Sequence, residues 1–413
     1  MTLASVAVAF ALGACSSSSK KSTTTTTGGG AAAPTGTTIV IGQLETQSGP
    51  AGNTKVGQTT LDAWASWTNA HGGLNGHPVK VITKNDNADP AQAQTALNSM
   101  INDDHIVALV GQNASATEPT WVNLMVSSKI PVIGGPAYDT AWFTKPYFYP
   151  TTTSVPTTVY GEIYAAKNAG GKALASLLCN NSTVCLGAVP LFNAAAKDLN
   201  MPVVYNQTAS QTATDYTAQC LAMKASKADT VIAFVNNQLL ANNCKQQGYN
   251  PTYIGAESSI TQSQLQATSS FEGLTGPSSS FPWWQEFPQT SEFFDAMKTY
   301  APAYAPGGSQ YESQASGVLS SVFSSGVVFA NAMKNAAVAA DQPVTSADVV
   351  RGLAMIQNST NGGYTPVVSY GDGTTPSKYV PCFWLYKVVN AKYTSINGLS
   401  TTCEPSSALP PGL

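Results

Sequence analysis

Short apolar runs alternate with longer amphipathic segments over most of the chain. Ile106–Val110 and Ile130–Ile133 are apolar runs that end at turn residues, and a segment with helical spacing separates them. Apolar runs without polar alternation are typical of strands covered on both faces, as in a parallel sheet. With strands also predicted at Thr38–Gly42 and Pro78–Ile82, the order is βαβαβαβ. The N-terminal part of the chain therefore predicts a mostly parallel sheet flanked by helices.

The same alternation restarts after a segment rich in Pro, Thr and Tyr at residues 146–156. It predicts a second α/β lobe that ends near residues 271–277, followed by helices at 291–300, 312–340 and 346–356. Residues 378–389 and 392–396 form a predicted terminal strand pair. A chain of 413 residues is too long for one hydrophobic core, so we expect two lobes.

Turn residues follow the two central strands of the first predicted sheet. Ligands bind beyond the carboxyl ends of parallel strands, so these turns are candidate ligand contacts. Ser115 and Glu118 fit a capping box, with Pro119 in the first turn of the helix. Ser115 is therefore a predicted N-cap. The alternative is a ligand contact, because a helix start offers free N–H groups.

Charge and composition narrow the class of partner. The net charge is −3 and only 10% of the residues are charged, so neither nucleic acid nor an anionic membrane surface is expected as a partner. Polarity comes from Ser, Thr, Asn and Gln instead. Together with seven cysteines, this composition is typical of an extracytoplasmic protein.

The N-terminal residues indicate an export signal. Met1–Ala11 is apolar but too short to span a bilayer. Leu12–Cys15 resembles a bacterial lipoprotein lipobox, which implies a lipidated Cys15 and an anchor at the outer face of the cell membrane. No Lys or Arg precedes the apolar run, and a plain signal peptide is the alternative. Residues 16–36 are a predicted flexible tether, and residues 406–413 a loose tail.

Six cysteines lie in the predicted mature fold. Six allow 15 pairings, and an even number in an exported protein favours disulfides. Proximity in sequence suggests three pairs: Cys179–Cys185, Cys220–Cys244 and Cys382–Cys403. Because no CxxC pair or histidine cluster accompanies them, we expect neither a metal nor another cofactor.

Catalytic motifs are absent from the sequence. It contains no GxSxG, HExxH, GxxxxGK[ST] or GxGxxG. The three histidines, His71, His77 and His105, lie in or beside predicted turns with no nucleophile near them in sequence. We therefore expect a binding protein and not an enzyme.

The order and spacing of several short motifs resemble the leucine/isoleucine/valine-binding protein family of ABC-importer receptors. The motifs are Ile39–Gly42, Ser48–Pro50, Gly72–Gly76, Asn85–Pro90, Gly134–Ala137 and Ile254–Glu257. The resemblance implies a type I periplasmic-binding-protein fold, with two α/β lobes joined by three crossovers near residues 151–154, 273–277 and 374–377. Lobe 1 would comprise residues 37–153 and 277–375, and lobe 2 residues 154–276 and 376–405.

The resemblance also implies a set of ligand-binding residues. The turn Asn113–Ser115 would bind a ligand carboxylate. The turn Pro136–Tyr138 would complete the contacts with the carboxylate and the amino group. Glu257 aligns with a family glutamate that accepts the ligand ammonium, whereas a solvated loop carboxylate is the alternative from sequence alone. Ala114 stands where amino-acid receptors tend to carry a serine, and Val184 lies nearest to the place of a frequent aromatic. The implied contacts are Asn113, Ala114, Ser115, Pro136, Ala137, Tyr138, Val184 and Glu257.

Aromatic residues near these positions allow two interpretations. Tyr138, Trp142 and the segment Phe281–Trp284 would form the walls of a pocket for an aromatic ligand, or would belong to the core.

The expected function follows from the family resemblance. A receptor of this kind captures a small polar ligand, a branched-chain or other amino acid or an amide, and delivers it to an ABC permease. We expect a lipid-anchored monomer. The alternative is a sensor or adhesion lipoprotein with the same fold and no role in transport.

Overall fold

The computed structural model describes residues 32–48, 55–137, 140–180 and 183–405, except for the side chains of residues 183–186. The predicted signal segment with Cys15, the ligand contacts Tyr138 and Val184, and the predicted tail lie outside this description.

The first sheet consists of five parallel strands in the order β2-β1-β3-β4-β5. Its strands are β1 Ile39–Glu45, β2 Val79–Asn85, β3 Leu109–Val110, β4 Val132–Ile133 and β5 Phe148–Tyr149. The helices between them are α1 Val56–Ala70, α2 Pro90–Asn102, α3 Glu118–Ser128 and α4 Ala141–Thr144. β5 lies within the segment 146–156, for which the sequence predicted only a crossover.

The second sheet is larger and has the order β12-β11-β10-β9-β8-β6-β7, with β13 paired to β11. Its strands are β6 Leu174–Cys179, β7 Val203–Ala209, β8 Thr230–Ala233, β9 Thr252–Ile254, β10 Thr275–Ser278, β11 Cys382–Val389, β12 Lys392–Ser395 and β13 Thr402–Cys403. The strands from β6 to β10 are parallel, and β11 runs antiparallel to β10, β12 and β13.

Nine further helices complete the fold of the described residues. They are α5 Val155–Asn168, α6 Thr183–Asp198, α7 Thr217–Ala225, α8 Asn237–Gln246, α9 Gln262–Ala267, α10 Ser291–Tyr300, α11 Tyr311–Gln314, α12 Gly317–Ala336 and α13 Ser346–Ala354. Short 3₁₀ turns occur at Glu257–Ser259, Ser269–Phe271, Pro288–Thr290, Pro302–Tyr304 and Asn361–Gly363.

Each sheet is the middle layer of its own lobe. α2 and α3 cover one face of the first sheet, and α1 and α12 cover the other. Trp64 of α1 lies so close to Gly326 of α12 that a Cβ atom there would stand 2.4 Å from the indole ring, so only glycine fits. In the second lobe α5 packs beside α6 and against β10 and β11. The expected α/β fold with two sheets is confirmed.

Local capping explains where several helices begin. The Asp89 side chain accepts a hydrogen bond from the Gln92 N–H at 2.9 Å, and Pro90 occupies the first turn of α2. Pro at that position costs no intrahelical hydrogen bond. The start of α2 therefore follows directly from the sequence.

The predicted N-cap at Ser115 is wrong. α3 begins at Glu118 and its N-cap residue is Thr117. The Glu118 carboxylate accepts hydrogen bonds from Gln112 Nε2 at 2.9 Å and Trp142 Nε1 at 2.7 Å. Because these buried partners hold the carboxylate, it is not available for a capping box.

The single helix predicted for residues 312–340 is also wrong. Ala315 and Ser316 have extended backbone angles, which divide it into α11 and α12. The Ser316 hydroxyl accepts a hydrogen bond from the Val318 N–H at 3.4 Å and caps α12. This break places the N-terminus of a 20-residue helix between the two lobes.

The chain passes between the lobes after β5, after β10 and before β11. Thr153 joins all three passages. Its N–H donates to the Ser279 carbonyl at 2.9 Å, and its hydroxyl donates to the Cys382 carbonyl at 2.6 Å. The second passage follows Ser278, because β10 extends to that residue.

Two disulfides of the second lobe have both of their cysteines among the described residues. Cys220–Cys244 joins α7 to α8, and Cys382–Cys403 joins β11 to β13. Both are pairs suggested by proximity in sequence. Cys179 is also disulfide-bonded, and the side chain of Cys185, its expected partner, is outside the described residues.

Candidate functional site

A cavity of about 240 Å³ lies where the two lobes and the crossovers meet. Ala137 comes from the turn after β4, Thr152 from the first crossover, and Glu162 from α5. The start of α12 closes the cavity on the side of lobe 1. The described residues that line it are Pro136, Ala137, Thr152, Thr153, Val155, Thr158, Val159, Glu162, Ala188, Phe234, Ala256, Ser258, Ser259, Ser279, Gly317, Val318 and Ser321.

Glu162 is the carboxylic acid of this lining. Its side chain is 1% exposed, and Oε1 accepts a hydrogen bond from the Ala256 N–H at 3.0 Å. Oε2 is buried and has no hydrogen-bond partner among the residues that the structure describes. Burial raises the pKa of Glu162 to about 8, because desolvation penalises the charged form more than the single backbone hydrogen bond stabilises it.

Glu257 lies beside the cavity but does not line it. Its carboxylate is fully buried. It accepts hydrogen bonds from the indole N–H of Trp283, from Ser278 Oγ at 3.2 Å and from the N–H of Gly317. Burial raises the pKa of Glu257 to about 7, and these three donors oppose the shift. The carboxylate thus binds the N-terminus of α12, where the helix dipole favours a negative charge.

The first predicted ligand turn, Asn113–Ser115, lies outside the cavity lining. The Asn113 carbonyl accepts a hydrogen bond from the Thr46 N–H at 3.1 Å. Ala114 is fully buried, and its N–H donates to Gln112 Oε1 at 2.8 Å. These contacts tie the turn to its own lobe.

The second predicted turn does reach the cavity. Pro136 and Ala137 line it from lobe 1. The aromatic residues weighed as pocket walls have a different place: Trp142, Phe281 and Trp283 are buried in the core with exposures of 0%, 0% and 1%. The apolar wall of the cavity comes from smaller side chains and Phe234.

Glu162 was not among the predicted ligand contacts. It lies within α5, three residues after Val159 and four before Ala166, which are both buried. A glutamate within the apolar stripe of a helix is unusual, because ionisable side chains seldom lie in a core without partners. That placement was the available signal for this site residue.

Metal or membrane-spanning features are not found in the part of the chain that the structure describes. It contains no group of three His, Cys, Asp or Glu side chains arranged to hold a metal ion. None of its helices combines the length and apolar character needed to cross a bilayer.

The two lobes, the three passages between them and the cavity where they meet define a solute-binding protein of the type I periplasmic class. The chain belongs to the periplasmic binding protein family, whose model matches residues 38–392. The family resemblance in the sequence is thereby confirmed. This family is extracytoplasmic, and its members bind substrates and are generally not enzymes. No curated protein matches the chain.

Solved structures with the same fold cover most of the chain. A fatty acid ABC transporter substrate-binding protein from Thermomonospora curvata has 17% identity and a TM-score of 0.70, over 90% of this chain and 94% of that one. A leucine-binding protein from Thermotoga maritima has 13% identity and a TM-score of 0.67, over 89% and 99%. A solute-binding protein from Rhodopseudomonas palustris in complex with p-hydroxybenzoic acid has 17% identity and a TM-score of 0.68, over 89% and 97%.

Proposed function

We propose that this protein is an extracytoplasmic receptor that captures a small polar solute between its lobes and delivers it to an ABC importer. The observation that carries the proposal is the cavity itself. Both lobes and the crossovers contribute to its lining, and the lining combines hydroxyl groups and one carboxyl group with apolar side chains. Apolar walls with a few polar groups are typical of small-molecule sites.

The cavity supports a role in solute capture because its walls belong to two lobes. A ligand that contacts both lobes favours the conformation in which they are close, since only a difference in affinity shifts such an equilibrium. A volume of about 240 Å³ corresponds to about eight water molecules. The solute is therefore small, of the size of an amino acid or a short amide.

A cavity-filling variant tests this proposal. Ala137 lines the cavity and is 4% exposed, so Ala137→Trp places an indole in the space for the solute. Thermal shift against amino acids, amides, urea, aromatic acids and short fatty acids identifies a ligand, because binding stabilises the folded state. We expect Ala137→Trp to abolish the shift.

The matched control is Ala91→Trp, which adds the same side chain at an exposed position of α2. It should retain the ligand-induced shift. Circular dichroism spectra of both variants verify that they are folded. Full ligand binding by a folded Ala137→Trp protein would contradict the proposed site.

Transport and anchoring are tested in cells. Deletion of the gene should abolish high-affinity uptake of the ligand, whereas undiminished uptake would favour the sensor or adhesion alternative. Lipidation of Cys15 is part of the proposal, and Cys15→Ser should release the protein from the membrane fraction. The role of Glu257 as an acceptor for a ligand ammonium stays a prediction, which ligand titration of Glu257→Gln tests.

A further inference from the structure

Most hydroxyl groups in the cavity lining donate a hydrogen bond to another group of the protein. Five of them donate to backbone carbonyls of the protein: Thr152 to Gly135 at 3.2 Å, Thr153 to Cys382 at 2.6 Å, Thr158 to Ser154 at 3.0 Å, Ser259 to Ala256 at 2.6 Å and Ser321 to Val318 at 3.2 Å. A hydroxyl has one hydrogen and two lone pairs. These five oxygens are therefore left to accept hydrogen bonds, and not to donate them.

The ionised form of Glu162 adds a stronger acceptor to the same surface. Its Oε2 atom is buried without a hydrogen-bond partner among the described residues, while Oε1 accepts from the Ala256 N–H. A buried polar atom without a partner costs free energy. An N–H group of a bound solute would remove this cost.

Cationic side chains do not contribute to the described lining, which contains no Lys, Arg or His. A carboxylate transferred into such a cavity would lose its hydration and would find few donors to replace it. It would also be repelled by an ionised Glu162. The cavity lining therefore favours solutes that donate hydrogen bonds and disfavours anionic solutes.

We propose that the cavity selects a small solute that donates N–H groups, an alkylammonium or a primary amide without a free carboxylate, and that Glu162 accepts one of these groups. The inference rests on the proposed function, because it assigns the chemistry of the same cavity. Val155, Val159, Phe234 and Val318 also line the cavity. They provide an apolar surface for a short alkyl chain.

The experiment compares four molecules that share an isobutyl group. Isothermal titration calorimetry measures the binding of 3-methylbutylamine, 3-methylbutanamide, 3-methylbutanoate and leucine to the purified protein. At about pH 9, Glu162, with a pKa of about 8, is ionised, and an alkylamine with a pKa like that of lysine is still protonated. We expect the amine and the amide to bind roughly tenfold or more tightly than the acid and leucine.

Substitution of Glu162 tests its assigned contact. Glu162→Gln should weaken binding of 3-methylbutylamine by roughly tenfold or more, because it removes a charge-assisted hydrogen bond. Glu162→Asp retains the charge and should recover part of the affinity. The matched control is Glu404→Gln, since Glu404 is a buried carboxyl that accepts from Thr157 Oγ1 at 2.8 Å and does not line the cavity. It should leave the ratio of amine to acid affinity unchanged.

Three outcomes would overturn the inference. They are binding of 3-methylbutanoate or leucine as tight as that of the amine, unchanged amine affinity in Glu162→Gln, and no binding of either N–H donor at millimolar concentration. Its failure is distinct from failure of the proposed function. If another solute binds wild type and Ala137→Trp abolishes that binding, the cavity is the site and only its assigned chemistry is wrong.

Discussion

Two buried glutamates lie at the cavity or beside it, and their surroundings differ. Glu257 is fully buried and has three hydrogen-bond donors. Glu162 is 1% exposed, lines the cavity and has one donor, and its second oxygen has no partner among the described residues. Burial raises the pKa of both. The difference lies in hydrogen bonding: the carboxylate of Glu257 is used within the protein, whereas that of Glu162 retains an acceptor for another molecule.

The largest expected effect is the loss of stability when one of the two glutamates is replaced by alanine. Glu257→Ala leaves the Trp283 indole N–H and the Gly317 N–H without an acceptor in a buried place. We expect it to lower the free energy of unfolding by roughly 3 to 5 kcal/mol. Glu162→Ala leaves only the Ala256 N–H unpaired and removes an unpaired oxygen, so it should cost about 1 to 2 kcal/mol.

Urea denaturation monitored by tryptophan fluorescence measures both losses. Glu257→Gln keeps an acceptor oxygen and serves as the matched control. Its free energy of unfolding should lie between the values for wild type and Glu257→Ala. Equal losses in the free energy of unfolding for the two alanine variants would contradict the stated difference in hydrogen bonding between Glu257 and Glu162.

The dependence of stability on pH sharpens the comparison. The folded protein retains the Glu162 proton up to about pH 8, whereas the unfolded chain loses it near the ordinary value of about 4.3. Stability from this group is therefore fully present below that ordinary value and decreases as pH rises through about 8. The decrease is on the order of a few kcal/mol. Glu257 and Glu404, with pKa values of about 7, contribute in the same direction.

Glu162→Gln should remove the Glu162 share of this decrease. Denaturation series from about pH 5 to about pH 9 then give a shallower loss of stability for the variant than for wild type. The variant should become the more stable protein at the alkaline end. Parallel curves for the two proteins would show that Glu162 titrates as it does in the unfolded chain.

The smallest expected effect concerns the helix end that Glu257 binds. Ser316 caps α12 through the Val318 N–H, beside the Gly317 N–H that Glu257 accepts. Ser316→Ala should lower the free energy of unfolding by about 1 kcal/mol. Ser316→Asn preserves a capping acceptor and should stay close to wild type. A loss as large as that of Glu257→Ala would mean that the hydroxyl, and not the carboxylate, holds the helix start.

The sequence predicted the central strands of the sheets well because these strands are buried on both faces. Runs such as Ile130–Ile133 have no polar positions, and Asp89 and Pro90 define a helix start through local hydrogen bonding. Ser115 misled because its capping pattern is local, whereas the distant indole of Trp142 determines where the Glu118 carboxylate lies. Tertiary contacts of this kind cannot be inferred from spacing in one sequence.

The site was harder to predict than the fold. Pro136 and Ala137, which were predicted as ligand contacts, line the cavity, and a turn after a parallel strand is a general location for ligands. Glu162 belongs to a helix whose pattern predicts only its secondary structure. The ligand preference of the cavity depends on which oxygen atoms keep a free lone pair. That in turn depends on hydrogen bonds to carbonyl groups far away in sequence, as in the contact between Thr153 and Cys382.

The hydrogen bonds of Thr153 give the molecule a common pivot. Because Thr153 joins the three passages, a rotation of one lobe against the other would have its axis near this residue. Thr152 and Thr153 also belong to the cavity lining, which places the solute next to this axis. Because the solute lies near this axis, a small displacement at the solute corresponds to a larger movement at the outer rims of the lobes.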